Sequence, residues 1–113
     1  SATVDDATLL AALVQCECGY ESYEGQLAVA AVVVNRARGS YGSIKNAVYA
    51  PGQFGPASSG KLALVLSTGA IGANAKQAAA AAIGGTTNVG AATHFRNVRS
   101  GYSGIVIGNH VFW

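Results

Sequence analysis

The stretch VQCECGYESYEGQLAVAAVVVNR, Val14–Arg36, decides the fold. Its opening residues complete an apolar-periodic run that starts after Asp5 and Asp6, carboxylates placed where a helix dipole favours negative charge. A helix over Ala7–Cys18 follows, with Gly19 as its stop. Ser22 is a second N-cap, and the spacing predicts a helix over Tyr23–Arg38. Between Leu27 and Val34 that helix is apolar on every side, so it must be surrounded by other elements. Val32, Val33 and Val34 would also suit a strand, but Ala28, Ala30 and Ala31 and the absence of turn residues favour helix.

Working outward, the Gly39–Gly42 turn leads to Ser43, which caps a short helix through Tyr49 that ends before Pro51. Gly52 to Gly60 reads as loop, and Lys61 to Ser67 as an apolar piece whose type the pattern does not decide. Asn74 is the expected cap of a helix over Ala75–Ile83, ended by Gly84 and Gly85. Its run Ala78–Ala82 marks either close packing on one side or an unimportant surface on the other, and the favoured reading is a good helix former with little surface to offer. From Ala91 onward the pattern turns β-branched and aromatic: Thr93–Phe95, Ile105–Ile107 and His110–Trp113 are expected to form a two- or three-stranded antiparallel sheet. The fold class is therefore α+β, several helices around a buried central one with a small C-terminal sheet. With no repeat and no linker-like stretch, residues 1–113 are expected to form one domain.

Composition narrows the function. Of 113 residues, 50% are apolar and 11% charged, which suits one packed core. The net charge of +2 is spread thinly, too weak a footprint for a nucleic-acid partner. The longest apolar stretch, Leu27–Val34, is far short of the ~20 residues of a membrane span. Fifteen glycines and no methionine suggest a chain that begins after a removed segment, hence a secreted or truncated catalytic unit, and a monomer is expected. Cys16 and Cys18, two apart on a helix, point to opposite flanks and cannot form a disulfide.

The chemistry centres on Glu17. On a helical wheel Leu10, Leu13, Val14 and Glu17 share one arc of about 100°, so this carboxyl extends the core-facing stripe. Lost hydration would raise its pKa and keep a proton available, as a general acid requires. The plainer reading has Glu17 turned to solvent or paired with Arg36 or Arg38. No acidic residue follows Glu24, so the β segment has no carboxylate to offer.

Four ordered motifs, Val14–Arg36, YAPGQFGP at Tyr49–Pro56, ATHF at Ala92–Phe95 and IGNHVF at Ile107–Phe112, resemble the SleB-type cell wall hydrolases. The resemblance runs from Leu9 to Trp113. It implies a lysozyme-like domain with a groove between helices and a small sheet, acting on peptidoglycan glycan strands in the cell wall or spore cortex. By position it makes Glu17 the catalytic glutamate and places Gln53, Phe54, His94, Phe95, Asn109 and His110 as substrate-binding residues along the groove, with no cofactor and no metal. It further implies a one-acid reaction yielding a 1,6-anhydro sugar. Glu21 and Glu24 also match family positions and read as carboxylates at the start of the second helix. The chain departs from the family at Cys16 and Cys18, where small residues are usual, and at Gly55, where serine is frequent.

Three rival functions remain open at this level. Cys16 or Cys18 with His94 or His110 would make a cysteine peptidase or amidase of wall peptides, although a helix C-terminus opposes a thiolate. The same four residues meet the ligand count of a zinc site without its usual spacing. A groove without turnover would make a glycan-binding module.

Overall fold

A computed structural model describes residues 4–113. Asp5 caps helix α1 (Asp6–Cys18) by accepting the Thr8 N–H at 2.7 Å, and that bond holds its carboxyl below the ordinary range. Gly19 closes α1, and Ser22 caps α2 (Tyr23–Arg38) on the Gly25 N–H. Every residue from Gly25 to Val34 is buried, as a helix with no polar face demands. The expected bounds of α2 are observed.

Around α2 lie α1, α3 (Ile44–Tyr49) and α6 (Ala73–Ile83). Ala75, Ala78, Ala79 and Ala82 form one buried stripe at helical spacing, packed on α1 and α2. The alanine run is thus a packing face where two helices approach closely, a stronger role than the sequence suggested. Asn74 is not the cap: α6 begins at Ala73 after Gly72. The Gly72 N–H is satisfied by Gln15 Oε1 at 2.8 Å, a side chain on α1. That bond replaces local capping with a tertiary one.

Gly52–Gly60 is not all loop. Phe54 precedes a one-turn helix α4 (Gly55–Ser59) with Pro56 in its first turn, where proline costs nothing. Gly60, at φ +89°, breaks α4 from α5 (Lys61–Thr68). The undecided Lys61–Ser67 segment is therefore helical, anchored by Leu62.

Three strands, β1 (Phe95–Asn97), β2 (Ile105–Ile107) and β3 (His110–Phe112), form an antiparallel sheet in the order β1-β3-β2. The first strand lies two residues beyond Thr93, although His94 and Trp113 still exchange backbone bonds at 2.9 and 3.1 Å. Gly108 and Asn109 make the β2–β3 turn. Gly108 has φ +57° and Asn109 does not have positive φ, the arrangement of a type II′ hairpin. Phe112 carries β3 into the helical core.

Candidate active site

Glu17 stands on the last turn of α1, half-buried. Burial pushes its carboxyl above the ordinary value, and the Lys61 ammonium of α5 opposes the rise. Lys61 Nζ lies 3.5 Å from the Cys16 carbonyl, at the negative end of the α1 dipole. Neither arginine pairs with Glu17. Arg36 donates to Thr93 O at 2.6 Å and Arg38 to Ile83 O at 3.1 Å. Sequence reasoning missed Lys61, because no local pattern links α5 to the end of α1.

Glu21 differs more from expectation. It precedes the Ser22 cap and does not serve the α2 N-terminus. Its carboxylate is buried and reaches the hairpin, where Oε1 accepts the Asn109 N–H at 3.0 Å and Oε2 accepts Asn109 Nδ2 at 2.8 Å. His110 Nδ1 lies 4.0 Å from Oε1 and, buried, has no hydrogen-bond partner. The Asn109 bonds hold the Glu21 carboxyl below its usual value, against the opposing effect of burial. A Cβ on Gly108 would collide with Glu21 Oε1, so that glycine serves both the turn and the close approach. Glu24, by contrast, is exposed in the first turn of α2, as expected.

Gln53, His94 and Phe95 converge. They line a cleft of about 590 Å³ together with Arg36, Gly52, Arg96, Tyr102 and Trp113. Beside it a hollow of about 200 Å³ includes Arg36, Tyr41, Gln53 and His94. Phe54 does not reach the surface: it is 4% exposed, with the Arg36 guanidinium 5.2 Å above its ring and Phe95 stacked at 6.5 Å. A sugar face has no access to that ring, which instead supports the cleft from beneath. His110 lies edge-on to Phe95 at 5.5 Å, buried with β3. Asn109 has both its N–H and its amide nitrogen committed to Glu21. Glu17 lines neither hollow.

The cysteine chemistries find no support in this geometry. Burial and the neighbouring Glu17 and Glu21 charges push the Cys18 thiol up to about 12, and burial raises Cys16 as well, the opposite of an activated nucleophile. Both thiols are free. Among the described residues no three His, Cys, Asp or Glu side chains converge as metal ligands. No helix of the described residues is long and apolar enough to cross a membrane.

Two solved structures share this fold across 99% of the chain. The catalytic domain of the germination-specific lytic transglycosylase SleB from Bacillus anthracis is similar at a TM-score of 0.81 and 27% identity, with 96% of that chain covered. The catalytic domain of the Bacillus cereus SleB protein is similar at 0.82 and 29%, with 91% covered. No curated protein matches the chain significantly. Residues 20–113 match the family described as Cell Wall Hydrolase. Glu17 lies just ahead of that segment, within the span shared with both SleB structures. A match over most of the chain, on a fold shared end to end with two catalytic domains, means that the chain belongs to the cell wall hydrolase family and is a wall-degrading enzyme.

Proposed function

We propose that this enzyme cleaves peptidoglycan at the bond between N-acetylmuramic acid and N-acetylglucosamine, with Glu17 as its one acid/base residue and 1,6-anhydro ends as product. The observation that carries the reading is the state of the carboxyls. Glu17 is half-buried with raised proton affinity, while the next acid, Glu21, has both oxygens engaged by Asn109. Two-carboxylate glycoside hydrolysis needs a second free group. Here Glu17 first protonates the glycosidic oxygen as its bond to muramic C1 breaks. The resulting carboxylate then takes the C6 hydroxyl proton as O6 closes on C1, which regenerates the acid without a water. The muramic residue leaves as a 1,6-anhydro sugar.

The likeness to a germination-specific SleB supports the spore cortex as the wall layer acted on, and with it export from the cytoplasm. Residues 1–113 would then be the catalytic unit. The test is mass analysis of muropeptides released from cortex and from vegetative wall by the protein and by Glu17→Gln. Anhydro ends, and a rate ~10²-fold or more lower in Glu17→Gln with binding retained, are expected. Mainly reducing muramic ends would refute the one-acid step, and a folded, fully active Glu17→Gln would refute the site.

A further inference from the structure

The cleft at the sheet is lined by two arginines and by no acidic side chain. Arg36 is half-buried, yet every group that meets it is neutral: its Nε–H donates to Thr93 O at 2.6 Å, Nη1 to Gln53 Oε1 at 3.4 Å, and its plane covers Phe54. Its remaining N–H donors meet no acceptor among the described residues. Arg96 lies 5.4 Å from the Tyr102 ring centroid. Tyr102 stacks on Trp113 at 4.4 Å and 6°, and Trp113 on His94 at 5.5 Å and 11°. All five acidic residues precede residue 25, and none lines this cleft. Among the described residues, neither arginine has a carboxylate within 4.0 Å; the one such pair is His110 with Glu21.

A half-buried cation without a counter-ion is costly to maintain. Arg36, held by a carbonyl, an amide and a ring, is already oriented for an anion, so little freedom is lost on binding, and the exposed Arg96 lines the same cleft. Their planar forks suit a carboxylate, which accepts two parallel N–H bonds. The peptidoglycan reading above brings to this enzyme a polymer that itself bears carboxylates, so the anion most naturally at hand is carried by that polymer.

We propose that this cleft is a subsite for the carboxylates of the stem peptide attached to muramic acid, with Arg36 and Arg96 as the binding residues and the Tyr102–Trp113–His94 stack as its rigid wall. This rests on the peptidoglycan reading and extends it from the sugar to the peptide. Phosphate of a glycerol phosphate polymer would fit the same forks, and the experiment separates the two.

Trp113 is the one tryptophan of the chain and lines the cleft, so its emission reports occupancy. The protein is titrated with a stem tripeptide bearing free carboxylates, with the same peptide amidated, and with glycerol phosphate. A saturable response to the free acid is expected, at least ~10-fold weaker for the amidated peptide and for the exposed variant Arg96→Gln. Arg36→Lys, which keeps the charge and loses the fork, should weaken it too. Equal affinity for the amidated peptide, unchanged affinity in both variants, or a response to glycerol phosphate alone would overturn the subsite. Turnover of peptidoglycan by the unaltered protein is followed in parallel. Turnover with no peptide response sinks the subsite and leaves the glycan reading standing, whereas no cleavage of any glycan sinks both.

Discussion

Removing the Glu21 carboxylate should cost the fold more than removing any other acidic side chain. In Glu21→Ala, Asn109 loses the acceptor for its N–H at 3.0 Å and for Nδ2 at 2.8 Å. Hydrogen bonds to charged groups are worth ~1.5–3 kcal/mol each. Because Asn109 is exposed, water recovers part of that, so ~1 kcal/mol per bond, or ~2 kcal/mol in all, is the working figure. At ~4 °C per kcal/mol for a chain of this size, the melting midpoint should fall by ~8 °C. Glu24→Gln, which alters only an exposed first-turn charge, should cost ~0.3–1 kcal/mol. The pH dependence has a definite sign. The Glu21 carboxyl is held below its ordinary value of 4.5 in the folded protein. Its contribution is therefore complete above that value and is lost as pH falls through the depressed one. Thermal melts from pH 7 down to pH 3 should show this acid limb in the wild type and its loss in Glu21→Gln. A double-mutant cycle with Asn109→Ala isolates the pair, with a coupling of ~1–2 kcal/mol expected. If Glu21→Ala melts no lower than Glu24→Gln, or the cycle gives no coupling, the tie between helix corner and hairpin carries no weight.

Lys61 opposes the rise in Glu17 proton affinity. If Glu17 is the acid proposed above, Lys61→Met should raise that affinity further and move the alkaline limb of the pH–rate profile upward; no movement would separate Lys61 from the reacting acid. Cys16→Ala with Cys18→Ala should retain most activity and resist chelators, at a stability cost of about 1 kcal/mol from the buried Cys18 sulfur. Loss of turnover in the folded double variant would return the thiols to the mechanism.

The parts of the fold that follow from short-range physics were legible in the sequence. Asp5, Ser22 and Ser43 cap where cap residues should, and the alanines within the all-apolar Leu27–Val34 run favoured the central helix over a strand. The half-burial of Glu17 was readable because three leucine and valine neighbours on α1 share its arc. The misreadings have a common cause. Gly72 is capped by Gln15, Glu21 is bound by Asn109, and Lys61 acts on Glu17, all through contacts between residues far apart in the chain. A helix such as α6 that borrows its cap from another element shows no local cap signal, and a glutamate next to a serine cap looks like a helix-start residue until the hairpin that holds it is in place. Phe54 misled for a different reason. An aromatic beside a glutamine in a glycine-rich stretch reads as a sugar platform, yet α4 turns that ring inward under Arg36.

Helices α4 and α5 together bury one side chain, Leu62, while Leu64 remains 62% exposed. Left-handed glycines, Gly60 and Gly69, bracket α5. Segments with so little buried surface open at a fraction of the free energy of global unfolding. This arm carries Lys61, so the proton affinity of Glu17 is wired to a weakly anchored part of the molecule. A swing of α5 away from the end of α1 would remove the opposing charge and make Glu17 a weaker acid, and its return would make it a stronger one. The proton affinity of Glu17 is thereby a property of two elements, one rigid and one easily displaced, and a ligand that settles on the arm would tune it without touching the glutamate.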